Sequence, residues 1–257
     1  MTEPLAVAFN SERTRAAFTI FHPKGNIVTA DLVAALRSAL EAAGENPHLK
    51  LITIEGAGGD FSFGASIPEH APGQIDRVLP EMHALIYDLL EAPAPTAAVV
   101  RGRCFGGGFE LALACDFVLA EEGASFALPE IALGVFPPAA SALLPPRVGY
   151  ARAVRAILTG AAAPAAAWKD AGLVEVVART GALSDAVDEW FAAHLAPRSA
   201  TALRHAAAAA RMGLLAHVRE VLPKLEQLYL EDLMRTADAV EGIEAFLAKR
   251  TPAWTDR

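Results

Sequence analysis

Thr96-Ala97-Ala98-Val99-Val100-Arg101, followed by Gly106-Gly107-Gly108-Phe109-Glu110 and then Leu111-Ala112-Leu113-Ala114-Cys115, is the stretch that decides the fold. Its first part is a short, unbroken apolar run of the kind a strand shows when both of its faces are buried. Three glycines then open an apolar helical segment, and Asp116 to Ala120 reads as the next strand. Strand, helix, strand with continuous apolar strands is the logic of a parallel sheet, so an α/β core is expected.

Working outward, the same alternation continues toward the N-terminus. Leu5 to Phe9 and Arg15 to Phe21 read as a hairpin. Ala30 to Ala43 reads as a helix capped by Thr29, Leu49 to Glu55 as a strand and Val78 to Glu91 as a helix. From about Pro138 onward the pattern is almost wholly helical and alanine-rich, interrupted convincingly only by Leu173 to Val177. The alanine clusters Ala161 to Ala167 and Ala206 to Ala210 favour helix rather than disorder. The tail predicts three helices: Ala200 to Met212, Pro223 to Arg235 with proline in its first turn, and Ala239 to Lys249 opened by Asp238. Apolar tail positions such as Leu225, Leu228, Leu233 and Met234 read as core or subunit interface, and nothing in the tail looks catalytic.

Composition narrows the function classes. The chain has 257 residues, 53% apolar and 20% charged, enough for one sizeable core. A formal charge of −8 offers no electrostatic footprint for nucleic acid or for an anionic membrane surface. No apolar stretch approaches the ~20 residues of a spanning helix, and the N-terminus lacks a basic segment followed by an apolar run. A soluble, cytoplasmic protein is expected. Cys104 and Cys115 lack the spacing of a zinc site and read as reduced, buried thiols, and the 7 histidines form no metal-ligand motif.

The three glycines place exposed amides at a helix start, where a developing anion would be stabilised; equally, they suit a tight turn needed only for close packing. Neither Gly106 to Gly108 nor Gly56-Ala57-Gly58-Gly59 matches a dinucleotide fingerprint or a P-loop, which disfavours nucleotide hydrolysis and Rossmann redox chemistry. Glu110, in the apolar helix, and Glu130, in Phe126-Ala127-Leu128-Pro129-Glu130-Ile131-Ala132-Leu133-Gly134, are lone charges in apolar surroundings. Two such carboxylates suit acid/base work if they meet, while each alone also suits a helix start. Phe61-Ser62-Phe63-Gly64-Ala65-Ser66 is a second place where small residues would let an amide approach a substrate.

Together these segments resemble the crotonase (enoyl-CoA hydratase) family over nearly the whole chain. The resemblance is carried by His22-Pro23-Lys24-Gly25-Asn26, Phe63-Gly64-Ala65, Ala97 to Gly102, Gly106 to Glu110 with Cys115-Asp116, and Pro129 to Gly134. Further stretches are Leu158-Thr159-Gly160, Ala171-Gly172-Leu173-Val174 and Glu241 to Arg250. The resemblance implies a crotonase-like spiral of ββα units over residues 1–195 and a helical C-terminal module over 196–257 that forms a homotrimer, or a hexamer of two trimers. It implies an oxyanion hole from the amides of Ala65 and Gly107, with Glu110 activating water and Glu130 handling the proton at the α-carbon. Lys24, Ser66, Ile67 and Phe136 are implied contacts of an acyl-CoA substrate. Phe246 and Lys249 match positions that in the family can reach the CoA of a neighbouring subunit. CoA would be part of the substrate, with no separate cofactor or metal.

Two departures from the general pattern lie near the expected acyl pocket: Ser66 stands where an aspartate is usual, and Val135-Phe136-Pro137-Pro138-Ala139-Ala140-Ser141 replaces a glycine-rich segment. With His22 to Val28, Phe61 to Ile67 and Glu69-His70, they resemble the cyclohexa-1,5-diene-1-carbonyl-CoA hydratase branch. Ser66 to Pro72 and Val135 to Leu144 are expected to set the acyl group. A straight-chain 2-enoyl-CoA hydratase, an enoyl-CoA isomerase and a non-catalytic acyl-CoA-binding scaffold are the alternatives.

Overall fold

The computed structural model describes residues 3–71 and 73–257; Pro72, at the end of one expected pocket segment, lies outside them. The strands are β1 (Leu5–Phe9), β2 (Arg15–Ile20), β3 (Leu51–Gly56), β4 (Thr96–Val100), β5 (Arg103–Phe105), β6 (Phe117–Glu121), β7 (Ser125–Ala127), β8 (Ala163–Pro164) and β9 (Val176–Ala178). A six-stranded sheet runs β1-β2-β3-β4-β6-β9, with the β1–β2 hairpin antiparallel and every later pairing parallel. A second sheet is ordered β5-β7-β8.

The helices are α1 (Ala30–Gly44), α2 (Ile75–Leu90), α3 (Gly107–Ala114), α4 (Pro138–Val148), α5 (Tyr150–Thr159), α6 (Ala165–Asp170), α7 (Leu183–His194), α8 (Ala200–Gln227) and α9 (Ala237–Leu247). The main sheet is covered on both faces, which is why β4 reads as an unbroken apolar run. Ala98 and Val100 join one core cluster, with Phe18, Ile54 and Leu113. Ala97 and Val99 join another, where α7 supplies Leu183, Val187, Trp190 and Phe191. Thr29 caps α1 as expected, its hydroxyl accepting from the Leu32 amide. No helix among the described residues is long and apolar enough to cross a membrane.

The helical second half departs from expectation in three places. Ala161 to Ala167 is not one helix, because Pro164 disfavours helical geometry at Ala163; the two residues pair with β7 and α6 starts at Ala165. Helices expected to be separate, Ala200 to Met212 and from Pro223, are one 28-residue helix with Pro223 inside it. Proline there costs about 3 kcal/mol in an isolated helix, but Val218 and Leu222 on either turn are buried in the main core and carry the helix through. The break comes instead at a π-turn, Leu228–Asp232, and a 3-10 turn, Leu233–Arg235. Thr236, not Asp238, caps α9; Asp238 lies in its first turn and its carboxylate accepts from the Thr255 and Asp256 amides, pinning the C-terminal segment.

Helix α8 is tied to the sheet by Arg211, which is 6% exposed. Its guanidinium holds both carboxylate oxygens of Asp116, at 2.8 and 2.5 Å, and donates to the carbonyls of Ala92 and Ala94. Asp116 also accepts from the Thr96 amide at the start of β4.

Candidate active site

Parallel strands deliver three chain segments to one place beyond their carboxyl ends: the loop after β3, the turn between β5 and α3, and the 3-10 turn Pro129–Leu133 after β7. The first loop is held from two sides. Ser62 pairs with Cys104 of β5, its carbonyl accepting from the Phe105 amide, while Ala65 pairs with Val28, whose amide donates to Gly64. Buried Asn26 fixes the preceding turn by donating to the carbonyls of Ala57 and Asp60 and accepting from the His22 amide.

The amides of Ala65 and Gly107 are brought side by side. A methyl group on Gly107 would lie 3.2 Å from the Ala65 amide nitrogen. Neither amide donates to a backbone acceptor among the described residues, and Gly107 is the first residue of α3, where amides have no partner within the helix. Gly106, at φ +49, is in a conformation that strains any side chain, and a methyl group there would meet Glu130 Oε1 at 2.5 Å, so that carboxyl would have to move. Of the two readings of the glycine run, close packing and exposed amides, the structure contains both.

Glu110 and Glu130 face a common narrow cavity with Ala65 and Gly107. Glu110 is buried in α3 and its Oε1 accepts from the Ala140 amide at 2.9 Å. That amide lies in the first turn of α4, which Pro137 and Pro138 open, so the departure at Val135 to Ser141 builds a helix N-terminus against a carboxylate. Burial raises the Glu110 pKa, while the Ala140 amide, His83 and the Ala139 amide pull it back. Glu130 has no such support: its Oε2 is buried without a partner, and burial, then the charge of Glu110, push it up to about 8. Two buried carboxyls that line one cavity with unequal hydrogen-bond support are placed to share a proton.

His83, buried in α2, donates from Nδ1 to Glu226 of α8 at 2.5 Å, and its Nε2 is buried without a partner. His70 donates from Nδ1 to the Ser66 carbonyl, and burial lowers its pKa. Neighbouring Glu69 accepts from the Ala30 amide and so completes the N-terminus of α1. Both cysteines are buried and free, and burial raises their thiols, Cys115 to about 12.

The remaining predicted contacts divide between two connected spaces. Phe136 lines the narrow cavity, of about 50 Å³, and Ser66 lines both that and a wide groove of about 890 Å³. Lys24, Ile67, Phe246 and Lys249 line the groove, the last two from this chain's own C-terminal segment. Arg103 and Arg250 in the groove wall are paired with Asp60 and Glu241; Lys24 and Lys249 form no ion pair among the described residues. Sequence reasoning missed Tyr229, which the π-turn after α8 carries into the narrow cavity. The tail therefore does reach the site, and only a packed structure reveals it, because Leu228-Tyr229-Leu230 looks like any apolar helical stretch.

The fold that carries this site is shared with known proteins. The profile of the enoyl-CoA hydratase/isomerase family matches residues 12–257, and the chain belongs to that family. It has the crotonase-like α/β fold. Among its relatives is a cyclohexa-1,5-dienecarbonyl-CoA hydratase of Thauera aromatica, 41% identical over 256 residues, covering 100% of this chain and 98% of the relative. A probable enoyl-CoA hydratase of Bacillus subtilis is 32% identical over 256 residues, covering 96% and 97%. The crystal structure of an enoyl-CoA hydratase from Mycobacterium avium subsp. paratuberculosis superposes with a TM-score of 0.87 at 33% identity, covering 98% of this chain and 99% of that one.

Proposed function

We propose that this chain hydrates a cyclic conjugated dienoyl thioester, cyclohexa-1,5-diene-1-carbonyl-CoA, to 6-hydroxycyclohex-1-ene-1-carbonyl-CoA. The observation that carries the reading is the pair of unequally supported carboxyls facing one cavity beside two free amides. Identity to the Thauera hydratase supports the choice of acyl group.

Ionised Glu110 takes a proton from water, and the hydroxide adds to the β-carbon of the thioester. The displaced electron pair moves to the thioester oxygen, where the amides of Ala65 and Gly107 receive it; one such donor is worth ~3 kcal/mol of barrier. In the cyclic diene this enolate extends through the second double bond. Protonated Glu130 then delivers its proton to the far carbon of that bond, leaving the remaining alkene conjugated with the carbonyl. With a linear enoyl thioester the same proton would go to the α-carbon. The next water carries a proton from Glu110 back to Glu130, so water and substrate complete the balance with no further cofactor.

In this reading Lys24 meets the phosphates of CoA in the groove, Lys249 and Phe246, which line the same groove, contact CoA of this chain rather than of a neighbouring subunit, and Ser66, Ile67 and Phe136 border the acyl end. The exposed apolar side chains Tyr150, Leu158 and Met212 suit burial between subunits, in keeping with a trimer or hexamer. The test is to incubate purified protein with the cyclic diene thioester and, separately, crotonyl-CoA, and to identify the products. Preferential formation of the hydroxycyclohexene product is expected. Preference for crotonyl-CoA would make the protein a straight-chain hydratase, and binding without turnover of either would sink the hydratase reading.

A further inference from the structure

Tyr229 is 2% exposed, yet its phenol ring ends among the acidic groups of the narrow cavity. The ring is locked by packing: it sits in a cluster with Ile75, Leu79, Val135 and Ala239, and Phe136 meets it edge to face at 5.5 Å and 72°. Tyr229 forms no side-chain hydrogen bond among the described residues, and it lines the cavity. It is also carried by a single π-turn, a rare distortion that is frequent at functional sites. Here the extra residue in the turn brings a tail side chain to the cavity that Glu110 and Glu130 line.

We propose that the Tyr229 hydroxyl is a third polar group of the reaction centre, donating a hydrogen bond to the oxygen that Glu110 activates, as water before addition and as the alcohol of the product. Glu110 takes one hydrogen of that water, and the attacking lone pair must point at the alkene. A donor to the second lone pair fixes the angle of attack. The phenol is suited to donating: burial and the charges of Glu110 and Glu130 raise its pKa above the ordinary phenol value, so it keeps its proton throughout. The contact also favours acyl groups whose hydroxylated carbon lies beneath the π-turn.

This inference rests on the hydratase reading, and Tyr229→Phe tests it, because the ring and its packing are retained. The expected result is a 10- to 100-fold lower kcat, the range for losing a hydrogen bond to a group developing charge, with KM changed less than about threefold and the melting temperature unaffected. A second measurement uses binding alone: calorimetry with 6-hydroxycyclohex-1-ene-1-carbonyl-CoA and cyclohex-1-ene-1-carbonyl-CoA. Wild type should prefer the hydroxylated thioester, and Tyr229→Phe should lose about tenfold of that preference. Unchanged kcat in Tyr229→Phe, or no preference in the wild type, would overturn the inference. A wild type that shows the Tyr229-dependent preference but hydrates nothing would overturn the hydratase reading and leave the contact standing.

Discussion

Glu130→Gln should abolish hydration and at the same time stabilise the protein in alkaline solution. The side chain keeps its size, but Gln has no proton to deliver to carbon and no charge to bury. In the folded chain Glu130 keeps its proton up to about pH 8, whereas a free glutamate loses it near 4.5. Between those limits the unfolded state binds fewer protons than the folded one, so folding stability contributed by this group falls as pH rises from about 4.5 to 8. At ~1.4 kcal/mol per pH unit the loss is bounded at ~5 kcal/mol. The amide of the variant meets the same partnerless environment as Oε2, which takes back ~1–3 kcal/mol. A net gain of about 2–4 kcal/mol at pH 9 follows, or roughly 4–16 °C for a chain of this size, shrinking to nothing or reversing at pH 5. Thermal melts of wild type and variant from pH 5 to 9 read this directly. A melting difference that does not vary with pH would mean that Glu130 ionises like a surface carboxylate, and its assignment as the proton-bearing member of the pair would be wrong.

The hydration rate itself should fall as pH rises through about 8, as Glu130 gives up the proton it must deliver; a rate that keeps climbing to pH 9 would contradict its role as acid. Gly106→Ala should fold with ~1–3 kcal/mol of backbone strain and lose about 100-fold in kcat/KM, because its methyl group displaces Glu130 Oε1, which stands 2.5 Å from it; wild-type kinetics would refute the placement of that carboxyl. Arg211→Ala should cost ~3–5 kcal/mol in urea unfolding, since it strands Asp116 and the Ala92 and Ala94 carbonyls; a loss below ~1 kcal/mol would show that α8 does not depend on this tie.

The elements that were legible in the sequence are those whose environment is set by their own pattern. The fully buried β4 and the Thr29-capped α1 announce themselves through uninterrupted or periodic apolar residues and a cap. Glu110 and Glu130 stood out because each is the one charge in an apolar run, and the fold then brings them into one cavity. What could not be read depends on partners distant in the chain. Pro223 looks like a helix start, and only core contacts at Val218 and Leu222 keep the helix running through it. Asp238 looks like a cap, but the last residues of the chain compete for its carboxylate. The π-turn that aims Tyr229 inward has no sequence signature, and neither Arg211 nor His83 reveals a partner more than ninety residues away until both are folded together.

The most direct test of the two-carboxylate account is the rate of hydration of the cyclic diene thioester by wild type, Glu110→Gln and Glu130→Gln, with thioester binding measured in parallel. The account predicts that either substitution lowers the rate by at least about 100-fold, as loss of general acid or base catalysis does, while binding stays within a few-fold of wild type. Hydration at near wild-type rate by either variant would show that the proton passes through another group and would contradict the mechanism.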